Sequence, residues 1–192
     1  VSLPKSSKAA LREALRARLK GRLDSLPSAS DFARKHLVAW LRMLPPGNLL
    51  SYAALPDEVD PKPVIGLLRD EGWRICLPRT RPDGIIEAAE VLPSDVLQRG
   101  PFGVQEPSPR CQAMDPAKLS VILVPARAID PTGTRLGRGG GVYDRFLSTL
   151  PPRCRKIGLI FSFQLVPQLP REPHDVRLDG WISDEGFGQP SG

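Results

Sequence analysis

Between Ser7 and Leu26 an apolar residue returns every fourth position. Leu11, Leu15, Leu19 and Leu23 fall on one stripe, with Arg12, Arg16 and Lys20 on its flanks, and this period predicts a helix over 7–26. A second helix is predicted from Ser28 or Ser30. Phe32, Leu37, Trp40, Leu41 and Leu44 keep helical spacing until Pro45-Pro46-Gly47 stops it. Beyond that point strand and helix periods alternate. Residues 49–55 read as a strand. Asp60 then caps a helix that opens on Pro61 and stops at Gly72. Residues 74–77 form a short strand before Pro78, Arg81-Pro82-Asp83-Gly84 a turn, and residues 85–92 another strand. The unbroken apolar run over 120–124 suits a strand buried on both faces. A helix is expected over 142–150, a strand over 157–161, a short helix over 163–169 broken by Pro167, and a last strand over 180–183. Residues 186–192 are expected to be a mobile tail.

Strands alternating with helices imply a three-layer α/β fold, a mostly parallel sheet with helices on both faces. No internal repeat or compositional break divides the chain, so residues 1–192 are read as one domain, long enough for a substantial core. An apolar share of 41% with 25% charged residues is the composition of a globular chain and not a disordered one. The net charge of +6 favours anionic partners without choosing among nucleic acid, nucleotides and other polyanions. Cys76, Cys111 and Cys154 make an odd count with no C-x-x-C pair, which argues against a disulfide framework. The two histidines, His36 and His174, argue against a zinc site. His36 lies on the apolar side of its helix and reads as structural. The start of the chain is charged from Lys5 onward without an apolar signal core, and no apolar run reaches membrane-spanning length. A reduced, cytoplasmic protein is expected.

The stretch that carries chemistry follows the most apolar strand. Residues 126–141 form a long loop, and a loop of that length inside a compact domain is usually functional. It holds Gly133, Gly137, Gly139, Gly140 and Gly141. Glycine lets the backbone take positive φ and approach a ligand with no Cβ in the way. Successive N–H groups can then converge on an anion, assisted by the start of the next helix. Arg135 and Arg138 add forked donors suited to phosphate oxygens. The pattern is neither a P-loop, which needs Gly-Lys and then Ser or Thr, nor a Rossmann fingerprint, which needs glycine where Val142 stands. The alternative is a flexible connector with solvated arginines. Asp144, in the first turn of the next helix, is either a helix-start carboxylate or a Mg2+ ligand. A second carboxylate for such an ion is available in Asp175, just before a strand.

The segment Gly133-Thr134-Arg135-Leu136-Gly137-Arg138-Gly139-Gly140-Gly141-Val142-Tyr143-Asp144-Arg145 resembles the signature of the 5-formyltetrahydrofolate cyclo-ligase (methenyltetrahydrofolate synthetase) family. The resemblance extends along nearly the whole chain in order. It takes in Lys8 and Arg12 of a Lys-x-x-x-Arg helix, Asp57-Glu58-Val59-Asp60, Leu77-Pro78-Arg79, Gly103-Val104-Gln105-Glu106-Pro107, residues 164–170 and His174-Asp175. It implies ATP-dependent closure of 5-formyltetrahydrofolate to 5,10-methenyltetrahydrofolate through a phosphorylated formyl group, with ADP and phosphate released. Lys8, Arg12, Gly133, Arg135, Leu136, Gly137, Arg138, Gly139, Gly140 and Gly141 would then bind ATP, and Asp144 and Asp175 would hold Mg2+. Glu58 would hold the pterin, with Tyr52, Leu55 and Phe102 lining the folate pocket. Arg135, Arg138 and Tyr143 would form the catalytic group, Tyr143 also meeting the substrate.

The chain departs from the family at Val142, where a tyrosine is usual, at Ile129, where a phenylalanine is usual, and at Gly140, a lysine in some members. These departures keep open a nucleotide-binding relative with a changed or lost acceptor. A basic nucleic-acid module is the other alternative, but the arginines crowd one loop and are not interleaved with aromatic stacking residues, so no nucleic-acid partner is expected. A monomer acting on folate and ATP is expected, with no membrane partner.

Overall fold

The computed structural model describes residues 7–101 and 103–191. Two helices open it, α1 (Lys8–Lys20) and α2 (Leu26–Leu41), the second with a proline in its first turn. Strand β1 (Asn48–Leu50) leads through a 3-10 turn into α3 (Ile65–Asp70). β2 (Arg74–Thr80), β3 (Ile86–Glu90), β4 (Leu97–Arg99), β5 (Gln105–Pro107), β6 (Ala113–Met114) and β7 (Leu119–Pro125) follow. β8 (Ala128–Ile129) and β9 (Arg135–Leu136) precede α4 (Val142–Leu147), and β10 (Arg155–Leu159), β11 (Gly180–Ser183) and β12 (Gly186–Gly188) complete the order.

Eight strands form one sheet in the order β12-β11-β10-β7-β1-β2-β3-β6. The five central strands β11, β10, β7, β1 and β2 run parallel; β12 and β3 pair antiparallel with β11 and β2, and β6 pairs antiparallel with β3. Side chains of a strand alternate between faces, so each central strand feeds two cores. Leu49, Ile75, Val121, Leu123, Ile157 and Leu159 meet Leu37, Trp40 and Leu41 of α2 on one face. Leu50, Cys76, Ile122 and Val124 meet Phe146 and Leu147 of α4 on the other. The three-layer α/β arrangement expected from the alternating periods is thus present.

Local differences have local causes. α1 stops at Gly21, and a 3-10 turn over Leu23–Ser25 leads directly into α2, so the second helix starts earlier than Ser28. Phe32, expected on the apolar stripe, lies half exposed, because Ala33, Leu37 and Leu41 define the buried face. The first strand is three residues and not seven, its pairing with β2 ending at the bond from the Ser51 N–H to the Cys76 carbonyl. The predicted helix over 61–72 divides into a 3-10 turn and the six residues of α3, and the one over 163–169 reduces to a 3-10 turn over Ser162–Gln164. β2 runs on through Pro78. The Cys76 carbonyl bonds the Ser51 N–H on the β1 side; two residues later Pro78 faces that same side beyond the end of β1, where no ladder bond is lost. Residues 186–188, expected to begin a mobile tail, instead pair with β11, and Phe187 stacks on Trp40 with ring centroids 5.6 Å apart.

The long loop after β7 is not structureless. β8 and β9 make a small antiparallel hairpin whose turn is pinned by Asp130, 1% exposed. One carboxylate oxygen accepts from the Thr132 N–H (2.9 Å), the Thr132 hydroxyl (2.7 Å) and the Thr134 N–H (3.1 Å); the other accepts from the Leu169 N–H (2.9 Å). Gly133 closes the turn at φ +78°, and a Cβ there would lie 2.6 Å from the Leu178 carbonyl oxygen. Leu11 and Leu15 of α1 pack on Ala128 and Leu136 of this hairpin, together with Val166 and Leu169. The hairpin therefore seats α1 at the carboxyl end of the sheet.

Replacing Asp130 by alanine strands several buried N–H groups at once. Asp130→Ala is expected to lower unfolding free energy by about 3 kcal/mol, measured by urea denaturation. A change inside the usual surface-substitution range of roughly ±0.5 kcal/mol would show that the turn does not hold the hairpin.

Candidate active site

A cavity of about 660 Å³ opens beyond the carboxyl ends of β1, β2 and β7. Parallel sheets bind ligands at this end because several strand-following loops converge there. Tyr52, Leu55 and Glu58 come from the loop after β1, Pro78 from β2, and Ala126 and Arg127 from the segment after β7. Lys8 and Arg12 reach the cavity from α1, one turn apart. The glycine loop and the start of α4 supply Arg135 through Asp144, and the segment before β11 supplies Glu172, His174 and Asp175.

Of the residues singled out from the sequence, Lys8, Arg12, Tyr52, Leu55, Glu58, Arg135, Leu136, Gly137, Arg138, Gly139, Gly140, Gly141, Tyr143, Asp144 and Asp175 all line this cavity. Gly133 does not. It serves the hairpin turn, because its missing Cβ makes room for Leu178 and not for a ligand. Phe102 lies outside the described residues. Ile129 is fully buried against Gly158, whereas Val142 and Gly140 line the cavity, so two of the three unusual positions touch its shape. Arg127, Gln105 and Glu106 also line it, without having been assigned a site role from the sequence. For Gln105 and Glu106 the available signal was the Gly103-Val104-Gln105-Glu106-Pro107 segment; for Arg127 it was position alone, just after β7. His36 packs structurally, its Nδ1 2.9 Å from the Ser183 carbonyl oxygen.

The glycine loop is held open by its neighbours. Arg12 donates from Nε to the Gly137 carbonyl oxygen at 2.9 Å, and its guanidinium covers Gly139, where a Cβ would come within 3.3 Å of Cζ. Gly139 at φ +108° and Gly141 at φ +61° take backbone conformations that other residues adopt only with strain. α4 is six residues long and not nine, so its dipole is correspondingly short. The capacity of the loop for anions rests on bare main-chain N–H groups and on guanidiniums.

Two pairs of opposite charges stand across the cavity. The Arg135 side chain is 4% exposed and donates from Nη2 to Asp144 Oδ1 at 2.7 Å. Its Nε is buried with no protein acceptor, and its ring-facing side lies 5.8 Å from the centroid of Tyr143. Lys8 Nζ donates to both Asp175 oxygens, at 2.8 and 3.0 Å, and to Glu172 Oε2 at 2.9 Å. Burial pushes the Asp175 carboxyl up, but the hydrogen bonds from Lys8 and the Glu172 N–H outweigh it and hold it below its ordinary value. For Lys8, burial acts downward and the bonds to Asp175 and Glu172 win, raising its pKa. Burial, reinforced by the Glu58 charge, raises the phenols of Tyr143 and Tyr52, so both remain neutral at physiological pH. Tyr52 donates its hydroxyl to the Val59 carbonyl oxygen at 2.7 Å, fixing the loop that carries Glu58.

Asp144 and Asp175 offer hard oxygen donors at one cavity, the chemistry that Mg2+ selects. Among the described residues the hydrogen bonds to Asp144 fall on Oδ1, which leaves Oδ2 available, while both Asp175 oxygens are occupied by Lys8. Glu172, His174 and Asp175 also bring one ligand atom each within 4.8 Å of one another. The residues fit a hard divalent ion, with Asp144 the less encumbered partner. No helix among the described residues is long and apolar enough to cross a membrane.

A mostly parallel sheet, with a cavity at its strand ends walled by bare glycine backbone, guanidiniums and carboxylates, defines an α/β ligand-binding enzyme architecture. The chain belongs to the 5-formyltetrahydrofolate cyclo-ligase family, whose model matches residues 4–183. It is 33% identical over 180 residues to the 5-formyltetrahydrofolate cyclo-ligase of Mycolicibacterium smegmatis, covering 90% of this chain and 91% of that protein. With the Haemophilus influenzae protein of the same name it is 29% identical over 154 residues, covering 78% of this chain and 82% of that protein. The solved structure of Aquifex aeolicus 5,10-methenyltetrahydrofolate synthetase superposes with a TM-score of 0.78 at 28% identity, covering 95% of this chain and 92% of that one.

Arg135 and Asp144 test how much of the site is structural. Removing one partner of a buried pair leaves the other charge uncompensated. Asp144→Ala is therefore expected to cost about 3 kcal/mol of stability. Arg135→Met combined with Asp144→Ala should be more stable than Asp144→Ala alone, by urea denaturation of the three proteins. Equal stability of the single and double variants would mean that the pair is not electrostatically coupled.

Proposed function

We propose that this protein closes 5-formyltetrahydrofolate to 5,10-methenyltetrahydrofolate at the expense of ATP, releasing ADP and phosphate. Family membership supports the reaction class. The observation that carries the assignment to this cavity is the meeting, in one space, of the bare backbone at Gly137–Gly141, the guanidiniums of Arg135 and Arg138, and the Glu58 carboxylate.

The chemistry needs those parts. A formamide oxygen is a poor leaving group. Attack of that oxygen on the γ-phosphorus of ATP, with departure of ADP, converts it into a phosphate ester on an iminium-like carbon. The folate N10 then attacks this carbon, inorganic phosphate departs, N10 loses its proton, and the five-membered ring closes. Phosphoryl transfer of this kind demands positioning and charge neutralisation more than a covalent protein intermediate. The loop amides of 137–141 would bind the phosphates with Lys8 and Arg12 at their flank. Arg135 has a buried Nε without a protein acceptor, a donor suited to a phosphate oxygen. Arg138 would follow the charge as it moves to the transferred phosphoryl group. Mg2+, held by Asp144 and Asp175, would supply neutralisation of the nucleotide phosphates.

Glu58 Oε2 accepts from the Leu55 N–H at 3.0 Å, and Oε1 accepts from Arg138, so a pterin would take the place of Arg138 on Oε1. A carboxylate so placed can accept a paired N–H edge of a pterin. Tyr52 and Leu55 would wall the ring, and Tyr143, kept neutral by burial, would donate a hydrogen bond without bringing a negative charge beside the phosphates.

The test is formation of the methenyl product from 5-formyltetrahydrofolate, followed by its near-ultraviolet absorbance, with ATP and Mg2+ present or withheld. Turnover should require all three. Arg138→Ala should fold and lose about a hundredfold to a thousandfold in kcat. ATP hydrolysis that responds to other formylated amides but not to this folate would assign the cavity to a different acceptor, with Val142 the first residue to suspect.

A further inference from the structure

Four charged side chains are linked beside the cavity: Arg127, Glu58 and Arg138 line it, and Asp57 bonds both arginines without lining it. Arg127 follows β7, Asp57 and Glu58 follow β1, and Arg138 belongs to the glycine loop. Asp57 is the link between the two arginines. Its Oδ2 lies 2.5 Å from Arg127 Nη1, and its Oδ1 accepts from Arg138 Nη2 at 2.5 Å. Arg138 also reaches Glu58 Oε1, at 3.0 Å from Nη2 and 3.2 Å from Nε. Side-chain exposure rises from 13% at Arg127 to 20% at Asp57 and 41% at Arg138. This chain of charges thus runs from a largely covered anchor to a more exposed tip.

The function proposed above makes demands on both ends of this chain. Glu58 is needed by the pterin and Arg138 by the phosphates. Once Glu58 turns to a pterin, Arg138 keeps one carboxylate that neither substrate needs, and that is Asp57. Without it the long Arg138 side chain regains its rotamer freedom, and two guanidiniums are left to repel each other. Burial, followed by the charge of Arg138, already presses the Arg127 guanidinium below its ordinary value, and Asp57 opposes both effects. We propose that Asp57 is a positioning residue: anchored on Arg127, it tethers Arg138 along the cavity wall so that the guanidinium meets the phosphates while Glu58 holds the other substrate. The inference rests on the assignment of Arg138 to the phosphates.

Steady-state kinetics of Asp57→Asn, Asp57→Glu, Arg138→Ala and the Asp57→Asn/Arg138→Ala double variant test it, with ATP and 5-formyltetrahydrofolate varied separately and melting temperatures recorded alongside. Asp57→Asn should lower kcat/KM for ATP by about tenfold and leave the folate KM within about twofold. Asp57→Glu should recover part of the loss. The double variant should be no slower than Arg138→Ala, because Asp57 acts through Arg138. Losses that multiply in the double variant would overturn the proposal. So would parent-like kinetics of Asp57→Asn, or a fall in melting temperature whose folded fraction turns over normally. Parent-like turnover of Arg138→Ala would instead remove the assignment of Arg138 to the phosphates, and the tether with it.

Discussion

The site depends on the burial of one small hairpin, β8–β9, between α1 and the carboxyl end of the sheet. Its four strand residues include three that are fully buried and apolar, Ala128, Ile129 and Leu136, and one, Arg135, that is charged. Asp130 ties the turn to itself and to Leu169, so the hairpin enters the core with a fixed orientation. Two consequences follow from the alternation of side chains along β9. Leu136 faces α1 and holds that helix, which in turn brings Lys8 and Arg12 to the cavity. Arg135 faces the other way and is delivered to the cavity wall, where Asp144 meets it. A turn held by one buried carboxylate therefore sets where three of the cavity's cations stand.

Many of the charges at the cavity are paired with one another. Lys8 occupies Asp175, Arg135 occupies Asp144, and Arg138 occupies Asp57 and Glu58. Each pair joins a cation suited to phosphate with an acid suited to a metal ion or a pterin. Such pairing lowers the cost of keeping many like charges near a low-dielectric surface. It also means that a ligand exchanges partners and does not meet bare charges. Binding affinity at such a cavity is the difference between two sets of strong interactions, which favours a ligand able to engage both signs at once. A magnesium nucleotide together with a pterin is such a combination; a lone polyanion would strand the carboxylates.

Much of this was legible in the sequence because the patterns involved are local. The apolar run over 120–124 identified the central strand, and glycines beside arginines identified the loop that lines the cavity. The alternation of elements implied the parallel sheet. What escaped was short or set by partners distant in sequence. β8 and β9 are two residues each, too short for a period to register, and their pairing is enforced by Asp130. β12 is a run of Gly-Phe-Gly, which has no strand signature until Phe187 finds Trp40. Gly133 looked like part of the glycine cradle by spacing, yet its requirement is a turn at positive φ against Leu178. Arg127 carried no motif at all; it matters because the loops after β1 and β7 end side by side.

That adjacency explains why the cavity's opposing functions converge on neighbouring loops. β1 and β7 are paired in parallel, so the segments leaving them emerge at the same edge of the sheet. The segment after β7 turns into the hairpin and then the glycine loop, while the one after β1 carries Asp57 and Glu58. A glycine loop carrying Arg138 and an acidic loop are thus forced to lie together, and their side chains neutralise each other. Sheet topology, more than any single residue, places a carboxylate within reach of the guanidinium that a phosphoryl acceptor would need. A change that shifted the register of β1 on β7 would separate the two loops even with every cavity residue retained.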